Sequence, residues 1–305
     1  MRLVLLFALL AVALLFVSCV SLRSFAQIQR ELPTERFLRI GDQLVHVEQA
    51  GSGEPVVLLH GFGGSVYSWR KIVPALAASH QVVAIDLNGF GYTQRPRRPE
   101  SYTRAGQGQL VLAVMDALGI DRAHVMGHSY GGGLALYLAF RHPERFRSMV
   151  LVDSSAPTYS DDRRSRAASW RPLTRLYVRA VALRPSTVRR SLLRSFYDDL
   201  LVTPELVQAY FDRLRIEGVG EAYYGLTAPS RTPGERVELA KIDVPTLVVW
   251  GAQDEVVALA TGRRATAKLP RSELVVIDQC GHLPMEEKPE ELLRAVLPFL
   301  EHHRG

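Results

Sequence analysis

Cysteine is almost absent from the 305 residues: Cys19 and Cys280 are the two, and Cys19 falls in a segment set apart below, so no disulfide framework is expected. No pair of cysteines stands at metal-ligand spacing, and no metal or cofactor is expected. Internal repeats and low-complexity tracts are lacking as well. That leaves a hydrophobic core, drawn from a composition that is 47% hydrophobic, to hold the fold. Lysine is missing from residues 155–231, where 13 Arg stand against 8 acids, an excess of 5. The whole chain carries +6, so the positive charge belongs to one segment and not to a surface built for nucleic acid.

What is present begins at the N-terminus. "MRLVLLFALLAVALLFVSCVSLRS" has one Arg and then an apolar run from Leu3 to Leu22 broken only by Ser18, Cys19 and Ser21. This reads as a targeting or membrane segment, kept apart from the fold. Its 20 residues are marginal for a membrane span, and Ser18-Cys19 looks like a bacterial lipoprotein processing site. A retained anchor, lipidation at Cys19 and a cleaved signal all stay open. Each places the remainder on a membrane or outside the cytoplasm, with residues 1–34 as anchor or signal plus linker.

From Glu35 short β-branched runs alternate with longer helical patterns. "RFLRI" and "QLVHVEQ" read as a hairpin across Gly41-Asp42, and "PVVLLHG", "QVVAIDLNG", "AHVMGHS", "SMVLVDSS", "TLVVWGAQD" and "ELVVIDQCGH" as six further strands. Helical patterns fall near residues 65–78, 102–118, 130–141, 257–268 and 289–302. Strands that are continuously apolar, joined by helices, predict a mostly parallel sheet covered on both faces. Ligands then bind at the carboxyl ends of its strands.

One of those ends carries Gly127-His128-Ser129-Tyr130-Gly131, with a strand before it and a helix after it. Flanking glycines permit a sharp turn that lifts the serine hydroxyl above the sheet, where a helix N-terminus favours developing negative charge. The competing reading is a tight turn whose serine merely caps the helix. A nucleophilic serine needs a base and the base an orienting acid: His282 follows the last strand and Asp254 the strand before it, in the order Ser, Asp, His. Asp254 also reads as a helix cap, and Asp153, ending "SMVLVDSS", is the competing acid. His60, His128 and His142 are weaker candidates for the base. In "HGFGGS" the glycines let backbone approach a ligand, and the amides of Phe62 and Tyr130 are the expected oxyanion hole. Gly61-Phe62-Gly63 with Asp86 also faintly matches a dinucleotide-binding fingerprint, although Val66 stands where its third glycine belongs.

"HGFGG", "DLNGFGYTQRP", "GHSYGG", "WGAQDEVV" and "CGHLPMEEKPEE", in that order, resemble the α/β-hydrolase superfamily over about residues 36–302. The resemblance implies an eight-stranded, mostly parallel sheet with helices on both faces and a helical cap inserted after strand 6. Residues 35–156 and 230–305 would form the core, and 157–229 the cap. It further implies a serine hydrolase, of the carboxylesterase or lipase kind, acting on a small-molecule or lipid ester. A carbon–carbon bond hydrolase with the same three residues and a catalytically silent binding protein are the alternatives. The cap is rich in Arg and aromatics, and its stretch with Arg171, Arg175, Arg179, Arg184, Arg189, Arg190 and Arg194 reads either as a face for an anionic membrane or as a solvated helix face.

Overall fold

The computed structural model describes residues 21–32, 36–155, 178, 182–227 and 236–304. The apolar run through residue 20, Arg171, Arg175 and Arg179, and the expected boundaries of the cap lie outside them. In chain order the elements are α1 (Phe25–Glu31), β1 (Phe37–Ile40), β2 (Gln43–Ala50), β3 (Glu54–Leu59), α2 (Val73–Ala77), β4 (His80–Ile85), α3 (Arg104–Ala117), β5 (Ala123–His128), α4 (Tyr130–Arg141) and β6 (Phe146–Val152). Among the described residues of the cap, three helices follow: α5 (Pro185–Ser195), α6 (Pro204–Leu214) and α7 (Val219–Thr227). The chain closes with β7 (Thr246–Gly251), α8 (Leu259–Thr266), β8 (Ser272–Ile277), α9 (Pro284–Glu287) and α10 (Pro289–His302).

The eight strands form one sheet in the order β1-β2-β4-β3-β5-β6-β7-β8. β1 pairs with β2 and β2 with β4 antiparallel, and the other pairs are parallel. Continuous apolar strands make sense because both faces are covered: Val57, Leu59, Val83 and Ile85 enter one core cluster, while their neighbours Val56, Leu58, Val82 and Ala84 enter the other. The strand order reverses at β3, with β4 on one side and β5 on the other. Loops leaving β3 and β5 therefore open a crevice at the carboxyl ends of the strands.

Residues 65–78 do not form one helix. A 3-10 turn covers Val66–Trp69, started by Ser65 Oγ accepting from the Tyr67 amide, and α2 begins afresh with Pro74 in its first turn. Proline lacks the amide hydrogen that a helix interior needs, so it opens a helix rather than continuing one. Residues 23–32 are likewise no extended linker. Ser24 and Gln27 make a reciprocal capping box at the start of α1. Ile28 is fully buried against Tyr92 of the core and Ile216 of the cap. Arg23 bridges to Ile216 as a short parallel ladder, and Leu22 packs with Val178, Leu183 and Val219 of the cap. The segment straps cap to core.

On α5 the apolar side chains Val188 and Leu192 turn inward and join the core cluster, leaving Arg189, Arg190 and Arg194 exposed, with Arg184 exposed just before the helix. Over these residues the arginines line an exposed face, and the apolar half of the helix is already covered. Among the described residues no helix is long and apolar enough to cross a membrane.

Candidate active site

The turn after β5 holds Ser129 at φ +48° and ψ −111°. Such backbone costs a non-glycine residue about 1–3 kcal/mol and persists because its surroundings fix it. Here the Ser129 amide donates to the Val152 carbonyl at 3.0 Å, and its own carbonyl accepts from the amides of Gly133 and Ser155 at 3.1 and 2.9 Å. A methyl on Gly127 would stand 2.4 Å from the Gly131 oxygen, and one on Gly131 2.1 Å from the Leu59 oxygen, so both positions exclude a side chain. The Ser129 hydroxyl does not cap α4, which rules out the helix-cap reading; it faces a cavity instead.

His282 reaches the same cavity from the loop after β8. Its Nδ1 lies 2.7 Å from Asp254 Oδ2, with both side chains buried. The other carboxylate oxygen, Oδ1, accepts from the amides of Val256 and Val257 at 2.7 and 2.9 Å. Asp254 is thus a turn cap on one oxygen and the partner of the imidazole on the other. Asp153, the competing acid, is fully buried behind them and accepts from the Gly251 amide at 3.0 Å. Burial, and then the neighbouring charge of Asp254, push its carboxyl well above the usual carboxylate range.

Donor atoms of Asp153, Asp254 and His282 lie within 4.8 Å of one another, the one group among the described residues compact enough to hold a metal. Two of these three residues are already engaged with each other, through the bond between His282 Nδ1 and Asp254 Oδ2.

The turn after β3 comes beside the serine. A methyl on Gly61 would meet the Ser129 Cβ at 3.2 Å, which brings the Phe62 segment against the elbow. The half-exposed Phe62 ring contacts Tyr130 at 6.4 Å and the cap residue Tyr223 at 6.0 Å. Asp86, by contrast, is no ribose ligand. It is fully buried and spent on His46 Nδ1 and the amides of Val66 and Tyr92, each at 2.7 Å, so the dinucleotide fingerprint fails.

The remaining histidines have structural tasks. His60 Nε2 accepts from the Leu87 amide, leaving Nδ1–H to donate to the Gly61 carbonyl, and burial lowers its pKa. His142 lies near the surface, 3.6 Å from Glu144. His128 is a weaker candidate for the base, and its contribution is one that sequence reasoning missed: Nε2 donates to the carbonyl of His282 at 2.7 Å, tying the histidine loop to the elbow. Burial holds its ring neutral by pushing its pKa well down. Glu287 was missed too. Its Oε2 accepts from the Gly281 amide at 2.6 Å, and its Oε1 accepts from the amides of Tyr197 and Asp198 in the cap at 2.7 and 3.1 Å. The His282 amide also donates to the Ser195 carbonyl at 2.7 Å, so the cap grips the loop carrying the histidine. The signal available in sequence was only "MEEKPEE", whose acids look like a helix N-terminus.

Ser129 and His282 open on a cavity of about 530 Å³. Its cap side is apolar, with Leu183, Val188, Leu192, Leu214, Val219 and Leu226, and Arg194 is the one lysine or arginine among the described wall residues. A polar corner comes from Ser68 and Tyr210: the Tyr210 hydroxyl lies 3.0 Å from Ser68 Oγ and donates to buried Glu286 at 3.1 Å, and Arg70 pairs with that carboxylate. Cys280 is free and buried, and burial raises its thiol pKa, so it offers no second nucleophile.

Residues 54–289 match the family described as alpha/beta hydrolase fold. The chain is 32% identical over 266 residues to a 2-hydroxymuconate semialdehyde hydrolase of Pseudomonas sp. (strain CF600), covering 84% of this chain and 89% of that one. Among solved structures it is similar to a meta-cleavage product hydrolase from Pseudomonas fluorescens IP01, with a TM-score of 0.75 and 28% identity over 88% of this chain and 98% of that one. It is also similar to a bacterial membrane phospholipase A, with a TM-score of 0.70 and 26% identity over 100% of this chain and 98% of that one.

Proposed function

Because the chain belongs to the alpha/beta hydrolase fold family, we propose that it is a serine hydrolase that cleaves carboxylic esters of apolar acyl chains through an acyl-enzyme. One observation carries the reading: an uncapped serine hydroxyl on a strained elbow opens, beside a His–Asp pair, onto a cavity whose cap side is apolar. Ser129 Oγ attacks the ester carbonyl while His282 Nε2 takes its proton. Asp254 keeps the imidazole's other proton on Nδ1 and steadies the imidazolium that forms. The amides of Phe62 and Tyr130 hold the oxyanion, beside the positive end of α4. His282 then returns the proton to the departing alcohol, and water attacks the acyl-enzyme by the same route in reverse. The acyl chain lies against the apolar cap side, and the hydroxyls of Ser68 and Tyr210 offer the polar part of the substrate a partner.

A second reading has its own support. The 32% identity to 2-hydroxymuconate semialdehyde hydrolase favours hydrolysis of a carbon–carbon bond in a dienone-type substrate with the same three residues. The match to the membrane phospholipase, which covers 100% of this chain, in turn supports the lipid-ester reading together with a position at a membrane outside the cytoplasm, through a retained anchor or lipidation at Cys19. A panel of esters graded in acyl length, run beside a ring-cleavage dienone, separates the two. Ester turnover that rises with acyl length and a silent dienone are expected. Ser129→Ala should abolish turnover and labelling by a fluorophosphonate, and near-normal activity in that variant would end the serine mechanism.

A further inference from the structure

Asp153 has no part in the mechanism above, yet its placement is unusual. It ends β6 at φ +42°, a conformation that side-chain-bearing residues rarely adopt, and it is completely buried. Oδ1 has its donor, the Gly251 amide, whereas Oδ2 is buried and receives no N–H or hydroxyl donor among the described residues. What stands next to it is the carboxyl group of Asp254. Two carboxylates with oxygens within 4.8 Å of one another, away from water, do not both carry charge, because each would lie unscreened in the other's field. One proton must sit between them. Asp254 already receives two backbone amides on Oδ1 and the His282 Nδ1–H on Oδ2. Asp153 receives one. The proton therefore belongs on Asp153.

We propose that Asp153 is a positioning residue: a neutral carboxylic acid whose Oδ2–H donates to the Asp254 carboxylate and fixes its angle to the His282 imidazole. The inference rests on the triad reading above. It turns an orphaned buried oxygen into a donor and leaves one negative charge facing the histidine. The titratable groups acting on Asp153 are Asp254, His282, Glu287 and Cys280; the two acids raise its proton affinity, in the same direction as burial. No proton is transferred to or from Asp153 during turnover. Its contribution is geometric, and it is felt on kcat rather than on substrate binding.

Asp153→Asn and Asp153→Gly test this. Asparagine copies the protonated acid, with Oδ1 accepting from Gly251 and Nδ2 donating to Asp254, and both replacements tolerate positive φ. Asp153→Gly should lower kcat about tenfold at unchanged KM, the loss of one hydrogen bond to a charged group. Asp153→Asn should restore most of it. The acid limb of the kcat/KM profile should be the same in wild type and Asp153→Asn, since neither carries a charge at 153. Were Asp153 ionised, removing its charge would take a negative neighbour from the site and move that limb down by about one pH unit or more. Infrared difference spectra of wild type minus Asp153→Asn at neutral pH should show the carbonyl stretch of a protonated carboxylic acid, a reading that stands even if the glycine variant does not fold. A shifted limb, a missing band, or a glycine variant with wild-type kcat overturns the proposal. Retained activity in Ser129→Ala would instead overturn the mechanism it rests on.

Discussion

Replacing Asp254 by asparagine changes one atom, and the structure dictates how that atom is placed. The amides of Val256 and Val257 both point at Oδ1 and need an acceptor there. Asparagine can supply one only by turning its carbonyl oxygen to them, which aims its NH2 group at His282 Nδ1. The opposite orientation would turn the NH2 group on two part-buried amides and leave them without an acceptor, so it is disfavoured. With a donor facing Nδ1, the imidazole must hold its proton on Nε2, where it can no longer take the serine proton. Loss of the correct tautomer lowers turnover by about a thousandfold or more, a rise of about 4 kcal/mol in the barrier. Steady-state hydrolysis of a short soluble chromogenic ester at neutral pH measures this, with the far-ultraviolet spectrum as the check on folding. Asp153→Asn should cost much less in the same assay. If Asp254→Asn stays within about tenfold of wild type, the tautomer argument fails; if the two variants exchange ranks, the orienting acid is Asp153.

Acid stability should follow the buried histidines. Burial lowers His124 to about 4, so it folds neutral, and the unfolded chain binds the extra proton. Stability is full above the ordinary histidine value of about 6.5 and should fall by about 3 kcal/mol as pH drops from there through 4, while His124→Gln should flatten that part of the curve of thermal midpoint against pH. Buried Ile28, on the N-terminal strap, should cost about 2–4 kcal/mol on replacement by alanine in urea unfolding, whereas an unpacked linker would lose nothing measurable. A chain beginning at Ser21 keeps that strap; it should bind anionic vesicles at low salt, release them at high salt, and bind more weakly after Arg189→Gln and Arg190→Gln. Indifference to vesicles at every salt concentration would leave those arginines as a solvated face only.

The sequence by itself determined whatever depends on neighbours in the chain. Gly127 and Gly131 around Ser129 encode the elbow because its close backbone approaches are settled within a few residues and against the adjacent β3. Unbroken apolar runs announced strands buried on both faces, and the order of strand ends placed Ser129, Asp254 and His282 at one edge. Periodicity misjudged residues 65–78, where Pro74 restarts the helix, and it could not distinguish a docked strap from a linker at 23–32, since the partners of Ile28 are Tyr92 and Ile216. Only the tertiary structure decided which acid holds the imidazole, because Asp153 and Asp254 end different strands and both look suitable in sequence. The choice lies in the Val256 and Val257 amides turned toward one and the single Gly251 amide left for the other. It also decided that His128 and Glu287 hold the histidine loop, through contacts with His282, Gly281 and the cap that no local pattern records. Charge state and orientation at a buried site are set by the sum of donors converging from several strands, and that sum exists only once the chain has folded.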